Sequence, residues 1–481
     1  MKNFISRYIL YFSILLSSIL IARLCFHFNG LFGQDSYEYV KIERGISAFF
    51  SDGTPIPYSV FPIGYALAGW FFSLVVVDDV LAMQIVSLLS LCIACLYLRK
   101  LIISIYQTAF RIDLFLVLFF VLSPYVMRFS LLVMSDMLCI AVYLIFLFHF
   151  LQFRRSNTLR SFLLACIAGA CCVYIRYASA VALLLPVLLL VVQCIKIKRI
   201  YYLLFALVIV TIISLPEIIL RQRFLFWDFG ESNAGFAYFY VPEQWSFENF
   251  FKKDFSNIDG LQHYGYVNIL FVFQYFVHPA FIFSGLLLLC FSKRSTFLLP
   301  DIQILLSIIV LYALFAAGYA YQSNRYLLFT FPLIIVVYYP AFTRMYSLCK
   351  IPAWAKTAAI VLCAGIQVFL FAYSSQTIYN MNKTEKQITE TLKEKYPNRN
   401  IYTFSIDGAL NTYEVPYYFY DIYRNAFDTI QPNSLLLYND SAFTAQFTGL
   451  NPVKNVALIK SNYHLEVLES FDSGWKLYAI K

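Results

Sequence analysis

The sequence predicts a mainly α-helical fold: a polytopic transmembrane helical bundle followed by a small α/β domain outside the membrane. Three observations carry this. Of 481 residues, 61% are hydrophobic and 13% charged, and the mean hydropathy is +0.69, whereas soluble domains run about 45–50% apolar and about 25% charged. Apolar runs of the length that crosses a bilayer, about 20 residues, recur between residues 8 and 375. Past residue 376 the apolar content drops and the charges balance, 10 Lys/Arg against 11 Asp/Glu. Such a composition cannot cover the surface of a soluble protein of this size. It also excludes a disordered chain, a disulfide scaffold and a free-standing nucleic-acid binder.

Taken in order, the spans are expected at 8–27, 80–98, 112–130, 134–151, 161–176, 178–195, 200–220, 268–291, 302–320, 327–343 and 357–375. A further apolar stretch, Pro62–Val77, is short for a span and ends in Asp78-Asp79. The basic residues decide its place. They cluster at Lys2/Arg7, Arg99/Lys100/Arg111, Arg154/Arg155/Arg160, Lys196/Lys198/Arg199, Lys293/Arg294 and Arg344/Lys350/Lys356. With about 11 spans and Pro62–Val77 lying in the interface, all six clusters fall on one side, holding 16 Lys/Arg against Asp113 and Asp301. A twelfth span would scatter them over both faces. Because cytoplasmic loops carry the Lys/Arg excess, the N-terminus is expected inside and the C-terminus outside. The net charge of +9 thus reports orientation, and no nucleic-acid partner is needed to explain it.

The first span has the basic start of a signal peptide but is too long for one and has no small-residue cleavage site. All 11 cysteines lie in or beside apolar spans, where a thiol packs as a small apolar group. Three segments remain outside: 28–79, 221–267 and 377–481. The second is expected to carry an amphipathic helix around Phe247–Phe255 with Lys252 and Lys253. The third opens with a charged helix, Lys383–Tyr396, followed by strand-like runs at Ile401–Ser405, Ser434–Tyr438 and Trp475–Ile480 separated by turn signals. The expected division is therefore 1–376 in the membrane and 377–481 as an α/β domain.

Few residues outside the basic loops can carry chemistry. Asp35, in Gly33-Gln-Asp-Ser-Tyr-Glu-Tyr-Val40, sits just past the first span, with Tyr39 one helical turn on and Glu38 between them. A carboxylate at a membrane edge beside aromatic neighbours can accept a proton from a substrate hydroxyl; alternatively it only caps a helix. Asp136 falls at the outer end of a span, where acids are costly and tend to be functional; alternatively Ser135-Asp136 is a helix start satisfied by Arg128. Arg325, in Ser323-Asn-Arg-Tyr326, and Arg176, in Tyr174-Ile-Arg-Tyr177, could hold phosphate through the planar donor fork or merely snorkel to the interface. His263 and His278 have no Glu or His at metal-ligand spacing. Acids and arginines on one outer face suit transfer from a lipid-phosphate donor.

The ordered motifs resemble those of the GT-C glycosyltransferases that use polyprenyl-phosphate sugars, among them protein O-mannosyltransferases and the aminoarabinose transferase of lipid A. "GQDSYEYV" resembles the acidic motif of the family's first loop and "VFPIGYALAGWFF" the Pro-rich stretch after it. "SPYVMRFSLLVMSDM" resembles the stretch that ends in an acid before the fourth span, and "SNRYLLFTFPLII" the late Arg-Tyr-Leu-Leu stretch. The resemblance, over residues 8–375, implies catalytic roles for Asp35 and Asp136. It implies substrate binding by Glu38, Tyr39, Arg176, Arg325 and Tyr326. It implies a polyprenyl-phosphate-linked sugar as donor, a glycan, lipid or protein as acceptor, and a place in a bacterial-type inner membrane among its lipids. It fixes no cofactor and allows a divalent metal assisting Asp136. The sequence departs from the family in having a lone Asp35 where some members carry Asp-Glu and Pro62-Ile63 for Pro-Pro, with Val60 and Phe61 where some members carry a phosphate-contacting Lys. The competing class is a transporter or lipid flippase, for which internal repeats and mid-span acids are the expected marks.

Overall fold

The structure is a computed structural model. It describes residues 13, 16, 20, 22–57, 59–221, 243–257, 260–283, 285–431 and 433–481. Most of the expected first span and much of the second outer loop, 222–242, lie outside the described residues.

Numbered from the first helix described in full, the chain begins with α1 (Gly33–Asp52), α2 (Gly64–Ser73) and α3 (Asp79–Tyr106). Helix α4 (Ile112–Leu116) continues through a π turn at Val117–Val121. Next come α5 (Pro124–Leu131), α6 (Asp136–Ser156), α7 (Leu159–Ile175), α8 (Ser179–Lys196) and α9 (Tyr201–Arg221). Among the described residues, seven helices are long and apolar enough to cross a membrane, and the bent pair Ile112–Val121 and Pro124–Leu131 supplies an eighth. The 71° bend has a local cause. Pro124 forces Ser123 into extended backbone and cannot continue the preceding hydrogen-bond ladder. Helix α7 follows the expected span but has 17 residues. The 268–291 span is corrected. It is broken into α10 (Asn268–Phe271), α11 (Gln274–Val277) and α12 (Gly285–Cys290). Here Pro279 acts through His278, whose ψ of 126° ends α11. Pro62–Val77 forms only the ten-residue α2, about 15 Å long, half of what a span needs.

The second outer loop departs from expectation. Instead of an amphipathic helix over 247–255, Phe247–Phe251 is a 3-10 turn leading into a hairpin of β1 (Asp254–Asn257) and β2 (Gly260–His263). The short α13 (Arg294–Phe297) precedes the spans α14 (Pro300–Ala317) and α15 (Asn324–Leu348). Helix α16 (Ala353–Lys395) is 43 residues, about 64 Å at 1.5 Å per residue. That is twice the hydrocarbon thickness, so its second half stands clear of the membrane. The boundary expected at 376–377 therefore falls inside a continuous helix.

The chain ends in a small sheet domain: β3 (Arg399–Thr403), α17 (Asp407–Thr412), β4 (Tyr417–Asp421), β5 (Leu435–Tyr438), α18 (Asp440–Phe447), α19 (Pro452–Asn462), β6 (Leu465–Ser470) and β7 (Lys476–Ile480). The sheet order is β4-β3-β5-β7-β6, with β3 parallel to both β4 and β5, and β7 antiparallel to β5 and β6. The three expected strands are present; β4 and β6, part-exposed and rich in Tyr or Glu, were not anticipated.

Helix α1 joins the two parts. Its Tyr37, Val40 and Ile46 share one apolar core with Ile388 and Leu392 of α16 and with Ile401, Leu410 and Leu435 of the sheet domain. A buried polar chain reinforces this seam. Asn382 donates to the side-chain oxygen of Asn29 (3.0 Å) and to the Leu31 carbonyl (3.0 Å), Asn29 donates to the Tyr413 hydroxyl (2.9 Å), and the Tyr37 hydroxyl donates to the Glu385 carboxylate. Burial pushes the Glu385 carboxyl up to about 7, against a smaller downward pull from Tyr37. Gly408 sits where a Cβ would come within 2.5 Å of Gln34 Oε1 and 2.7 Å of Tyr37 Cβ, so only glycine allows this approach.

Candidate active site

Four helix ends meet at one end of the bundle. Asp35 lies in the first turn of α1, Asp136 begins α6, Arg176 follows the last residue of α7, and Arg325 lies in the first turn of α15. The basic loops occupy the opposite end. At that end Arg155 pairs with Asp301 and bonds Ser104, and Arg99 pairs with Asp113 at 3.3 Å. Helix α6 has 21 residues, about 31 Å, and separates Asp136 from Arg154 and Arg155.

The four form a continuous ion-pair network. Arg325 donates through Nη1 to Asp35 and through Nε to Asp136 Oδ2 at 2.7 Å, and Arg176 Nη1 donates to the other Asp136 oxygen. Asp136 is buried to 3% side-chain exposure, Arg176 to 12% and Arg325 to 17%, whereas Asp35 keeps 34%. Two carboxylates and two guanidiniums balance, which is how charges persist at low exposure. The geometry leaves one acid, Asp35, with an open face.

The aromatic expectations sort differently. The Tyr39 hydroxyl donates to Ser135 Oγ at 2.7 Å, next to Asp136, and its ring packs on Phe61 and Tyr65 at 5.2 and 5.1 Å. Tyr326 lies under the Arg176 guanidinium (5.6 Å) and stacks on Tyr319 (5.5 Å). Glu38 does not join. It pairs with Lys41, one helical turn further on, at 3.2 Å. The expectation that Arg128 satisfies Asp136 is also corrected: Arg176 and Arg325 do so, and the Arg128 guanidinium lies over the rings of Phe32 and Phe129 at 5.5 and 5.8 Å. Asp35 is not a cap: Phe32 precedes α1, and the carboxylate turns to Arg325.

Two participants were not expected at the site. Ser135 reads in the sequence only as part of a helix start with Asp136, and gives no sign that it would meet Tyr39. Glu217 did carry a signal, as the acid within the apolar run 200–220. It is 2% exposed, accepts from the Ile63 backbone N–H (3.3 Å) and from the Tyr177 hydroxyl (3.4 Å), and so ties the Pro62–Tyr65 segment to the residue after Arg176. Gly64 completes this contact, since a Cβ there would come within 2.5 Å of the Tyr174 carbonyl oxygen.

Among the described residues, no group of three or more His, Cys, Asp or Glu gathers as if to hold a metal. Asp35 and Asp136 are bridged by Arg325, an arrangement suited to a guanidinium. His263 pairs with Asp254 on the hairpin, and His278 accepts from the Ala280 N–H at 3.2 Å.

No protein-family model and no curated protein sequence matches the chain. Solved structures do. The crystal structure of ArnT from Cupriavidus metallidurans bound to undecaprenyl phosphate superposes with a TM-score of 0.58 at 13% identity, covering 98% of this chain and 97% of that one. Its apo form gives a TM-score of 0.57 at 13% identity with the same coverage. Over nearly its whole length, therefore, this chain has the fold of ArnT, a polytopic membrane fold with a small sheet domain at its C-terminus.

Proposed function

We propose that the protein is an integral-membrane glycosyltransferase that moves a sugar from a polyprenyl-phosphate donor to an acceptor on the extracytoplasmic side, with inversion at the anomeric carbon. The carrying observation is the Asp35–Arg325–Asp136–Arg176 network at one end of the bundle, with Asp35 as its accessible member. Likeness of fold to ArnT, solved with undecaprenyl phosphate, supports a lipid-phosphate donor.

In this reading an acceptor hydroxyl sits against the open face of Asp35. Arg325 aims that carboxylate, and Asp136 in turn fixes Arg325 and Arg176. As the acceptor oxygen bonds to the anomeric carbon, its proton passes to Asp35. The bond from that carbon to the phosphate oxygen breaks, and its electron pair leaves with polyprenyl phosphate. A single displacement of this kind inverts the centre. Tyr326 and Tyr319 supply the aromatic wall against which a sugar ring packs, and Tyr39 supports Ser135 behind it. The Pro62–Val77 segment, clamped by Glu217, borders the lipid entrance. An ordinary general base contributes about 10²–10⁴ in rate, so Asp35→Asn should reduce turnover by at least that much. Purified protein given polyprenyl-phosphate sugars and membrane extract should release free polyprenyl phosphate. Lipid movement across vesicles without any sugar transfer would favour the flippase class instead.

A further inference from the structure

Among the described residues, Arg128 stands apart from the ion-paired arginines of this end of the bundle. Arg176 and Arg325 are neutralised by Asp136 and Asp35. Arg128 has no carboxylate within ion-pairing distance among the described residues, and its Nε is buried with no hydrogen-bond partner. Its guanidinium lies over the faces of Phe32 and Phe129. Yet its helix is fastened to the site on both sides. Just beyond it the Val133 N–H donates to the Gly30 carbonyl (2.8 Å), close before α1, whose first turn carries Asp35. One turn before it, the Tyr125 hydroxyl accepts from Asn324 (2.6 Å), the neighbour of Arg325. The buried carboxylates Glu217 and Glu43 are engaged elsewhere, Glu217 by Ile63 and Tyr177 and Glu43 by Ser73.

A guanidinium placed on ring faces with an unused donor is held at the cost of its hydration and without a counter-charge. A phosphate supplies both the charge and the planar fork's acceptors. Its apolar surroundings favour a phosphate that enters on a lipid chain over one from water. We infer that Arg128 receives the phosphate of the lipid carrier, while Arg325 serves Asp35. This rests on the transferase reading above and gives Arg128 the phosphate-binding role that the sequence suggested for Arg325.

The test uses full-length protein in detergent and compares binding of undecaprenyl phosphate with that of undecaprenol, its uncharged analogue. Wild type should prefer the phosphate at least tenfold. Arg128→Gln should lose the preference while still binding the alcohol, and Arg128→Lys, which keeps the charge, should recover most of it. Millimolar inorganic phosphate should fail to displace the lipid. A preference that survives Arg128→Gln, or that Arg128→Lys does not recover, overturns the assignment and leaves the transferase reading standing. Displacement by inorganic phosphate overturns the lipid source. No preference in the wild type overturns the inference together with the reading beneath it.

Discussion

Asp136 binds two arginines and has almost no contact with solvent, so its replacement separates structural from chemical roles. Asp136→Ala leaves Arg176 and Arg325 buried without their counter-ion, and breaking a buried pair in this way costs about 3–5 kcal/mol. The variant should therefore melt at a markedly lower temperature in detergent. Asp35 is paired at an exposed edge, and Asp35→Asn keeps its size and an acceptor oxygen, so the melting temperature should hardly change. Asp35, Asp136, Arg176 and Arg325 were legible because charges are scarce in this chain and each needs a reason at a span end. Their mutual pairing was not legible, since it joins residues up to 290 positions apart. Glu38 pairs with Lys41 rather than with the arginines, a local i,i+3 contact that the sequence offered equally.

At the scale of the elements, the seam between α1 and α16 makes a pH prediction. The carboxyl of Glu385, raised to about 7 by burial, binds a proton in the folded state at pH values where the unfolded chain has already lost it. Stability therefore falls as pH rises from the ordinary glutamate range through about 7, by about 3 kcal/mol at most. Glu385→Gln removes the charge and keeps an acceptor for Tyr37. It should raise the melting temperature at pH 8 and leave it unchanged at pH 5. Glycine supplies a second test at the same seam. Gly408→Val would push a side chain into Gln34 and Tyr37 and should loosen the sheet domain, exposing the α16–β3 connection to protease. Long periodic helices were readable from apolar runs, but their interruptions were not. The break after α11 is a proline effect inside an apolar run, and the hairpin at 254–263 follows a short aromatic segment that reads equally as helix.

On the scale of the whole molecule, the first outer helix is gripped between the spans and the sheet domain. This gives the distant C-terminal domain a physical route to Asp35. The fold class was legible because composition and the placement of basic residues each constrain a membrane protein strongly. The shared core of α1, α16 and the sheet was not, because it depends on tertiary contacts without a sequence period. Orientation is open to direct measurement: alkaline phosphatase fused after Lys481 should be active, which requires export, whereas fusion within the 154–160 loop should be inactive. Whether the ion-paired Asp35 drives sugar transfer from a lipid phosphate is tested most directly by release of free undecaprenyl phosphate from purified protein, given a panel of undecaprenyl-phosphate-linked pentoses and hexoses with membrane extract as acceptor. Wild type should release it, and folded Asp35→Asn should do so at least a hundredfold more slowly; release at the wild-type rate by that variant would remove Asp35 from the reaction.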